Sequence, residues 1–331
     1  MMNSSLRVKP SPALLLLLAV MVVVVTPFAA SAQKTWSVAR TADGDDFNSV
    51  HFADSRRGWI VGDAGTVLRT TDEGATWVSQ TLGTKASISD ISFRTKDDGC
   101  LVAGASVFCT ADGGGQWRET TKFNPKNFGG LTPELTSLTF ANKRRGIIVG
   151  SLVRRDAVLD SLVLLTEDGG ETWRRVVVET KDEMIDVDFA GDERALAVGA
   201  GGTILRTENG GRSWSLQASG TRAVLYNVEF RSGRKGWAVG AGGTILRTTN
   251  GGETWTAARS GVRSTLLGVR FTNDDDGVAV GRGGVILRTE DGGNAWARQE
   301  SGTTENLFAL YASKDVWWAV GAKGILLRQE R

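Results

Sequence analysis

Residues 233–255 read GRKGWAVGAGGTILRTTNGGETW, and versions of this stretch return along nearly the whole chain. Aligning the glycine of its xVG step gives Gly62, Gly104, Gly150, Gly199, Gly240, Gly281 and Gly321, at intervals of 42, 46, 49, 41, 41 and 40 residues. A period of this length belongs either to a propeller or to a helical solenoid. The content of each copy decides between them. In the fifth, 227–230, 237–240, 244–248 and 254–257 are short runs rich in Val, Ile, Thr, Phe or Trp, separated by Gly-rich turns and lacking any 3.6-residue apolar period. Four short strands per repeat make a propeller blade, so the expected fold is all-β, a seven-bladed β-propeller of four-stranded blades.

Each copy reads as a strand A ending in an aromatic, a strand B on the GWxVG run, a strand C on the TxLRT run and a strand D beginning at Thr-Trp. The strand A aromatics are Phe52, Phe93, Phe140, Phe189, Phe230, Phe271 and Tyr311, and two residues before each stands Val50, Ile91, Leu138, Val187, Val228, Val269 or Ala309. This alternation is the strand period. The seventh copy ends after its third strand, and residues 34–38, KTWSV, resemble the start of the other D strands. Pairing the two ends closes the ring and removes an exposed sheet edge.

Between strands C and D six copies carry T-x-[DN]-x-G-x-x-W, ending at Trp77, Trp117, Trp173, Trp214, Trp255 and Trp296. Asp72, Asp112, Asp168, Asn209, Asn250 and Asp291 are placed to bond backbone amides two residues on, the next Gly accepts a left-handed conformation, and the Trp buries a large face against its blade. Six in-phase matches mark a structural turn rather than an active site.

This turn resembles the Asp-box, or bacterial neuraminidase repeat, and the fuller pattern GWAVGAGGTILRTTNGGETW resembles the β-propeller family of photosystem II stability and assembly factors. The resemblance covers about residues 36–331. It implies a non-enzymatic scaffold for a protein partner, a membrane protein complex in that family. Asp-boxes also occur in sialidases, xyloglucanases and sortilin-like receptors, so a glycan-binding or glycan-cleaving propeller is the alternative.

Residues 1–32 carry Arg7 and Lys9, an apolar run of 13 residues from Ala13 to Val25, Pro27 and the small-residue sequence Ala30-Ser31-Ala32. They read as a cleaved secretory signal, leaving 33–331 as a single propeller domain. The run is shorter than the roughly 20 residues that span a bilayer, so no stable membrane insertion is expected after cleavage. The expected location is periplasmic or extracellular, or the thylakoid lumen in a photosynthetic source. Removing Arg7 and Lys9 leaves 37 basic against 37 acidic residues, a balance that gives no electrostatic drive toward nucleic acid. The two cysteines, Cys100 and Cys109, fall opposite each other if Val102 pairs with Val107. An oxidising compartment would permit a disulfide there, and two small buried thiols are the other reading.

Two copies depart from the common length. Trp117 to Phe140 is 23 residues against 16 in four other copies, and Gly150 to Thr166 is 16 against 8 in the regular ones. The first lengthens a D-to-A connection at 122–134, the second a B-to-C connection at 151–162. Both kinds of connection leave a propeller on the same face, and the two belong to neighbouring blades. Phe123, Phe128 and Leu131 with Arg154 and Arg155 therefore form the expected partner-binding patch, the apolar and Arg mixture enriched at interfaces. Tolerated loop insertions are the plainer account. Lys85, Arg222, Arg263, Arg282 and Lys323 lie in connections on that face. The resemblance implies an arginine-rich patch meeting photosystem subunits, and these residues would supply it unless they are simply solvated.

Other recurring polar residues read as structural. Arg69, Arg206, Arg247, Arg288 and Arg328 occupy the LR step of strand C, where an Arg lies over a Trp or pairs with a turn Asp. Asp90, Asp186, Asp188 and Glu229, with His51 and Arg270, point from the A strands toward the central tunnel or the adjoining inner strands. Such carboxylates could act as acid and base or bind Ca²⁺, and a hydrated tunnel lining explains them equally. His51 is the only histidine, which excludes multi-His zinc sites, and a nucleophilic triad would have to use it. Sialidase chemistry needs a Tyr nucleophile, whereas Tyr226 and Tyr311 both sit on strand A, with Tyr311 at the packed aromatic position. Xyloglucanase-like enzymes join two propellers around a cleft that one ring does not offer. No catalytic residue, metal or cofactor is assigned.

Overall fold

The structure, a computed structural model, describes residues 35–40 and 44–330. The signal expected at 1–32 lies outside the described residues. Among the described residues, twenty-eight strands form seven four-stranded antiparallel sheets. The inner strands Phe47–Phe52, Ile88–Phe93, Thr132–Phe140, Met184–Phe189, Leu225–Phe230, Leu266–Phe271 and Leu307–Ala312 each contact the next, and the last contacts the first. The result is a closed seven-bladed β-propeller. Blade seven takes its outer strand from the other end of the chain, Ser37–Arg40 pairing with Leu326–Glu330. Among the described residues no helix is long and apolar enough to cross a membrane.

The hydrophobic core is divided among the seams. Seven buried clusters each join one blade to its neighbour. Between blades five and six, Trp237 stacks face to face on Phe271 at 3.5 Å while Trp296 meets the same ring edge-on at 5.9 Å, the edge-on pair being the geometry that aromatic quadrupoles favour. The turn tryptophans therefore pack into the seam with the preceding blade rather than against their own sheet alone. Trp36 does the same for blade seven, lying 6.4 Å from Trp317 and donating to Gln299 at 3.1 Å.

The recurring glycine has a direct steric cause. A Cβ at Gly62, Gly150, Gly199, Gly240, Gly281 or Gly321 would meet the carbonyl oxygen of the chain entering the blade at about 2 Å. Blade two breaks the alignment. There Ile88 pairs with Ala103 as Phe47 pairs with Gly62, so Ala103 holds the equivalent position and Gly104, at φ +57, belongs to the following turn.

Blade seven holds a second displacement. Tyr311 pairs with Trp318 as His51 pairs with Trp59, and Ala312 takes the place of Phe52. The turn after Ala312 is one residue shorter than its counterparts, so counting back from Gly321 lands one position early. Tyr311 faces the tunnel and approaches Phe52 of blade one at 4.7 Å, as His51 approaches Phe93 of blade two at 5.7 Å.

Candidate functional site

The insertion at 122–134 folds as a short 3₁₀ turn, Pro125–Phe128, whose N-cap Asn124 accepts the Lys126 amide at 2.9 Å. Phe123 and Phe128 face inward. Each is 9% exposed, and their rings meet edge-on at 6.1 Å above the seam that holds Cys100, Cys109 and Leu152. Leu131 packs partly against the same cluster. Phe123 and Phe128 are thus committed to the protein's own core, which corrects their expected place on an exposed patch. Their alternation with charged residues on a long insertion looks identical in sequence whether the rings point out or in.

The insertion at 151–162 is a hairpin rather than a loop. Gly146–Arg154 and Ala157–Thr166 pair along their whole length around Arg155 and Asp156. Both turn residues have positive φ, 49° and 64°, the two-residue geometry that matches strand twist. Thr132–Leu135 pairs alongside, giving blade three a three-stranded extension above its neighbours. Arg154, Arg155 and Asp156 are exposed at its tip, and Val158 and Leu159 stand 37% and 42% exposed beside them. Those two apolar residues were missed in sequence because 151–162 reads as a connection, which has no strand alternation to show which side chains face outward.

Lys85, Arg222, Arg263, Arg282 and Lys323 are all exposed. They lie in connections of five different blades around the ring, so the fold does not gather them beside the blade-three extension. Lys323 pairs with Glu305 at 2.9 Å, and its backbone amide donates to Asp46.

Cys100 and Cys109 stand directly opposite in the hairpin of blade two and are joined by a disulfide. The bridge packs in the seam against Gly170 of blade three.

The Asp-box side chains are consumed by their own turns. Thr70 donates to Asp72 at 2.8 Å and accepts the Gly74 amide at 2.9 Å, while Asp72 accepts the Thr76 amide at 2.9 Å. The carboxylate reaches four residues on, not two, and the same contact recurs at Asp112, Asp168, Asn209, Asn250 and Asp291. Hydrogen bonds from Thr76, side chain and backbone, hold the Asp72 carboxyl down at about 2. The LR arginines tie blades together. Arg206 donates to Gly251 and Glu253 of the next blade, Arg247 to Asn294, and Arg288 lies 5.3 Å over Trp317. Arg328 lies 5.5 Å over Trp318 of its own blade, and Arg69 acts electrostatically on Asp112 of the next.

Two rows of side chains run around the inner strands, and most of their members line a central pocket of about 310 Å³. The row of Ser49, Asp90, Ser137, Asp186 and Asn227 is a belt. Ser49 donates to Asp90 at 2.8 Å, and the single hydroxyl proton of Ser137 is shared between Asp90 at 3.1 Å and Asp186 at 2.8 Å. Asn227 donates to Asp186 at 2.6 Å and accepts the Val269 amide at 2.9 Å. Asp90 also accepts the Leu138 amide and Asp186 the Val228 amide, each across a seam. A carboxylate here replaces the ladder that adjacent blades cannot form with each other. Ser49, Ser137 and Asn227 are functional partners that alternation from Phe52, Phe140 and Phe230 would have identified.

The second row contains His51, Ser92, Thr139, Asp188, Glu229, Arg270 and Tyr311. Burial raises Asp186 to about 6, Asp188 to about 7 and Glu229 to about 8, with Arg270 opposing each shift. Burial lowers His51 to about 4, helped by the Arg270 charge. Among the described residues no group of three or more His, Cys, Asp or Glu is arranged to hold a metal ion.

The model of the family described as photosynthesis system II assembly factor YCF48 matches residues 77–182, 171–260 and 215–299, more than half of the 331-residue chain. Among solved structures, a YCF48 bound to D1 peptide is 22% identical with a TM-score of 0.74, the match covering 90% of this chain and 98% of that one. YCF48 from Cyanidioschyzon merolae is 21% identical with a TM-score of 0.72, covering 89% and 98%. The xyloglucanase of glycoside hydrolase family 74 from Xanthomonas campestris is 15% identical with a TM-score of 0.68, covering 90% of this chain and 54% of that one. These structural likenesses are of fold. No curated protein matches the chain. Through the family model, which spans the repeats from the first Asp-box tryptophan to the sixth outer strand, the chain belongs to the YCF48 family of photosynthesis system II assembly factors.

Proposed function

We propose that the protein is an exported, non-enzymatic assembly factor that docks a protein partner on the face bearing the blade-three extension. The observation that carries this reading is the extension itself: the ring departs from its repeat here, and the departure ends in exposed Arg154, Arg155, Val158 and Leu159. Aliphatic area flanked by arginine is the composition of an interface core. A rigid ring presents it without ordering loops on binding, which lowers the entropic cost of association. The YCF48 solved with a D1 peptide supports a polypeptide partner, and in a photosynthetic source the partner is a photosystem II subunit. The Cys100–Cys109 bridge supports residence in an oxidising compartment.

The non-enzymatic part of the proposal rests on the tunnel carboxylates. Of the four that an acid–base reading would use, Asp90 and Asp186 are occupied as acceptors for the neighbouring blades. Crosslinked pulldown from source membranes tests the proposal. A defined protein partner is expected, lost on replacing Arg154 and Arg155 with Glu, whereas turnover of a glycoside without a specific partner overturns it.

A further inference from the structure

The second row of the tunnel holds charge that the belt does not use. Asp188 accepts only two backbone amides, Phe189 at 2.9 Å and Phe230 at 2.7 Å, one on each oxygen. Glu229 is 9% exposed, lines the central pocket, and its Oε2 has no hydrogen-bond partner. Arg270, one blade further on, donates to Asn227 and to the Val269 carbonyl and forms no ion pair with either acid. A buried acceptor without a partner costs free energy that native structures rarely leave uncompensated.

Carboxyl groups outnumber guanidiniums in the pocket lining. Four carboxyl groups, of Asp90, Asp186, Asp188 and Glu229, line it with the two guanidiniums of Arg231 and Arg270, and His51 is neutral above about 4. Asp90 and Asp186 have spent their oxygens on the belt, so the acceptors left for a guest are Glu229 Oε2 and the remaining lone pairs of Asp188. The donor set does not form a metal cage. A guest suited to two adjacent carboxylates must therefore bring its own hydrogens. An alkylammonium brings three N–H donors on a slender chain, and about 310 Å³ is room for that chain beside the Tyr311 ring.

We propose that the tunnel pocket between Asp188 and Glu229 binds a primary ammonium group, carried either by a small amine or by a lysine side chain. The site is separate from the blade-three extension, and its test does not depend on the docking proposal. Glu229 faces Asp188 from the preceding blade, Arg270 from the next and Arg231 at the end of its own strand. Burial keeps Glu229 protonated at neutral pH and Asp188 partly so. A bound ammonium stabilises both as carboxylates, so binding releases protons.

Isothermal titration of residues 33–331 with n-butylammonium and with Nα-acetyl-lysine methylamide, at pH 7 in phosphate and in MOPS, neither of which is a primary amine, reads both affinity and proton release. Saturable binding with a buffer-dependent heat is expected for both probes. Glu229→Gln is expected to weaken binding about tenfold or more and to remove most of the proton release, with its melting temperature checked to confirm folding. Asp188→Asn provides an independent second variant. Equal affinity for the two probes assigns recognition to the ammonium alone, and tighter binding of the lysine derivative assigns a peptide-borne lysine. The proposal is overturned if neither probe binds, if both variants bind unchanged, or if tetramethylammonium, which has no N–H, binds equally well.

Discussion

The carboxylate of Asp186 in blade four accepts the backbone amide of Val228 in blade five at 2.8 Å, across the seam. The same carboxylate takes the Ser137 hydroxyl from blade three and the Asn227 amide from blade five. One side chain thus holds three blades at the tunnel wall. Asp186→Ala leaves the Asn227 and Val228 donors without their acceptor, Ser137 keeping Asp90, and is expected to cost about 2 to 4 kcal/mol, part of the penalty being offset by relief of the buried acid. Asp186→Asn keeps an acceptor oxygen and is expected to cost less than half of that. Urea unfolding followed by tryptophan fluorescence distinguishes the two. Equal and small losses would show that the belt is incidental to the ring.

The buried acids give stability a definite pH dependence. Asp186, Asp188 and Glu229 have folded pKa values raised to about 6, 7 and 8, so between their unfolded and folded values the native state binds the extra protons. Their stabilising effect is complete at low pH and is lost as pH rises through the folded values. His51, lowered to about 4, acts oppositely: its contribution is present above its unfolded value near 6.5 and is lost as pH falls toward 4. Below pH 6.5 the two effects oppose each other. Above it only the acids act, and stability is expected to fall by on the order of 2 kcal/mol between pH 6.5 and 8. Glu229→Gln should flatten that decline, and a melting temperature that rises across this interval would contradict the assignment.

Ring closure depends on Trp36. It is 6% exposed, supplies the seventh turn tryptophan, and sits in the seam between blades six and seven. Trp36→Ala is expected to cost about 3 to 5 kcal/mol, the range for emptying a buried Trp site. Deleting residues 36–40 also exposes the edge of Leu326–Glu330 and should promote association between molecules. Differential scanning calorimetry and light scattering measure the two effects. A deletion variant with unchanged melting temperature would show that the ring does not need its clasp.

How much of this was legible in sequence depends on what each residue repeats. The xVG glycines and turn tryptophans recur because backbone crowding and seam packing recur, so blade number, strand order and closure could be read directly. Gly104 and Tyr311 were misplaced by one position because a single-residue change in a turn leaves the motif looking intact while moving the register. The direction of Phe123 and Phe128 was not readable, since an insertion has no repeat to set its phase. Tunnel acids were visible through alternation with Val187 and Val228. Their division into a saturated belt and an unsaturated pair was not, because it depends on which oxygens the neighbouring blade's amides reach.

The disulfide contributes chiefly by restricting the unfolded chain. It closes a loop with a sequence separation of 9, for which loop entropy gives at most about 3 kcal/mol. Cys100→Ala with Cys109→Ala should lower stability by up to that amount and also loosen the 122–134 insertion, whose Phe123 and Phe128 share the bridge's cluster. Amide exchange at residues 123–131 reports the second effect. Protection unchanged from the oxidised protein would show that the insertion is held independently.

The docking proposal is tested most directly by fluorescence anisotropy of the labelled partner recovered by the crosslinked pulldown, titrated with residues 33–331, with the double variant Arg154→Glu/Arg155→Glu, and with Arg234→Glu, which lies in the connection between Leu225–Phe230 and Gly236–Gly240 on the opposite face. Saturable binding that is lost in the double variant and retained in Arg234→Glu is the predicted result. Undiminished binding by the double variant, or no binding by the unaltered protein, would contradict the account.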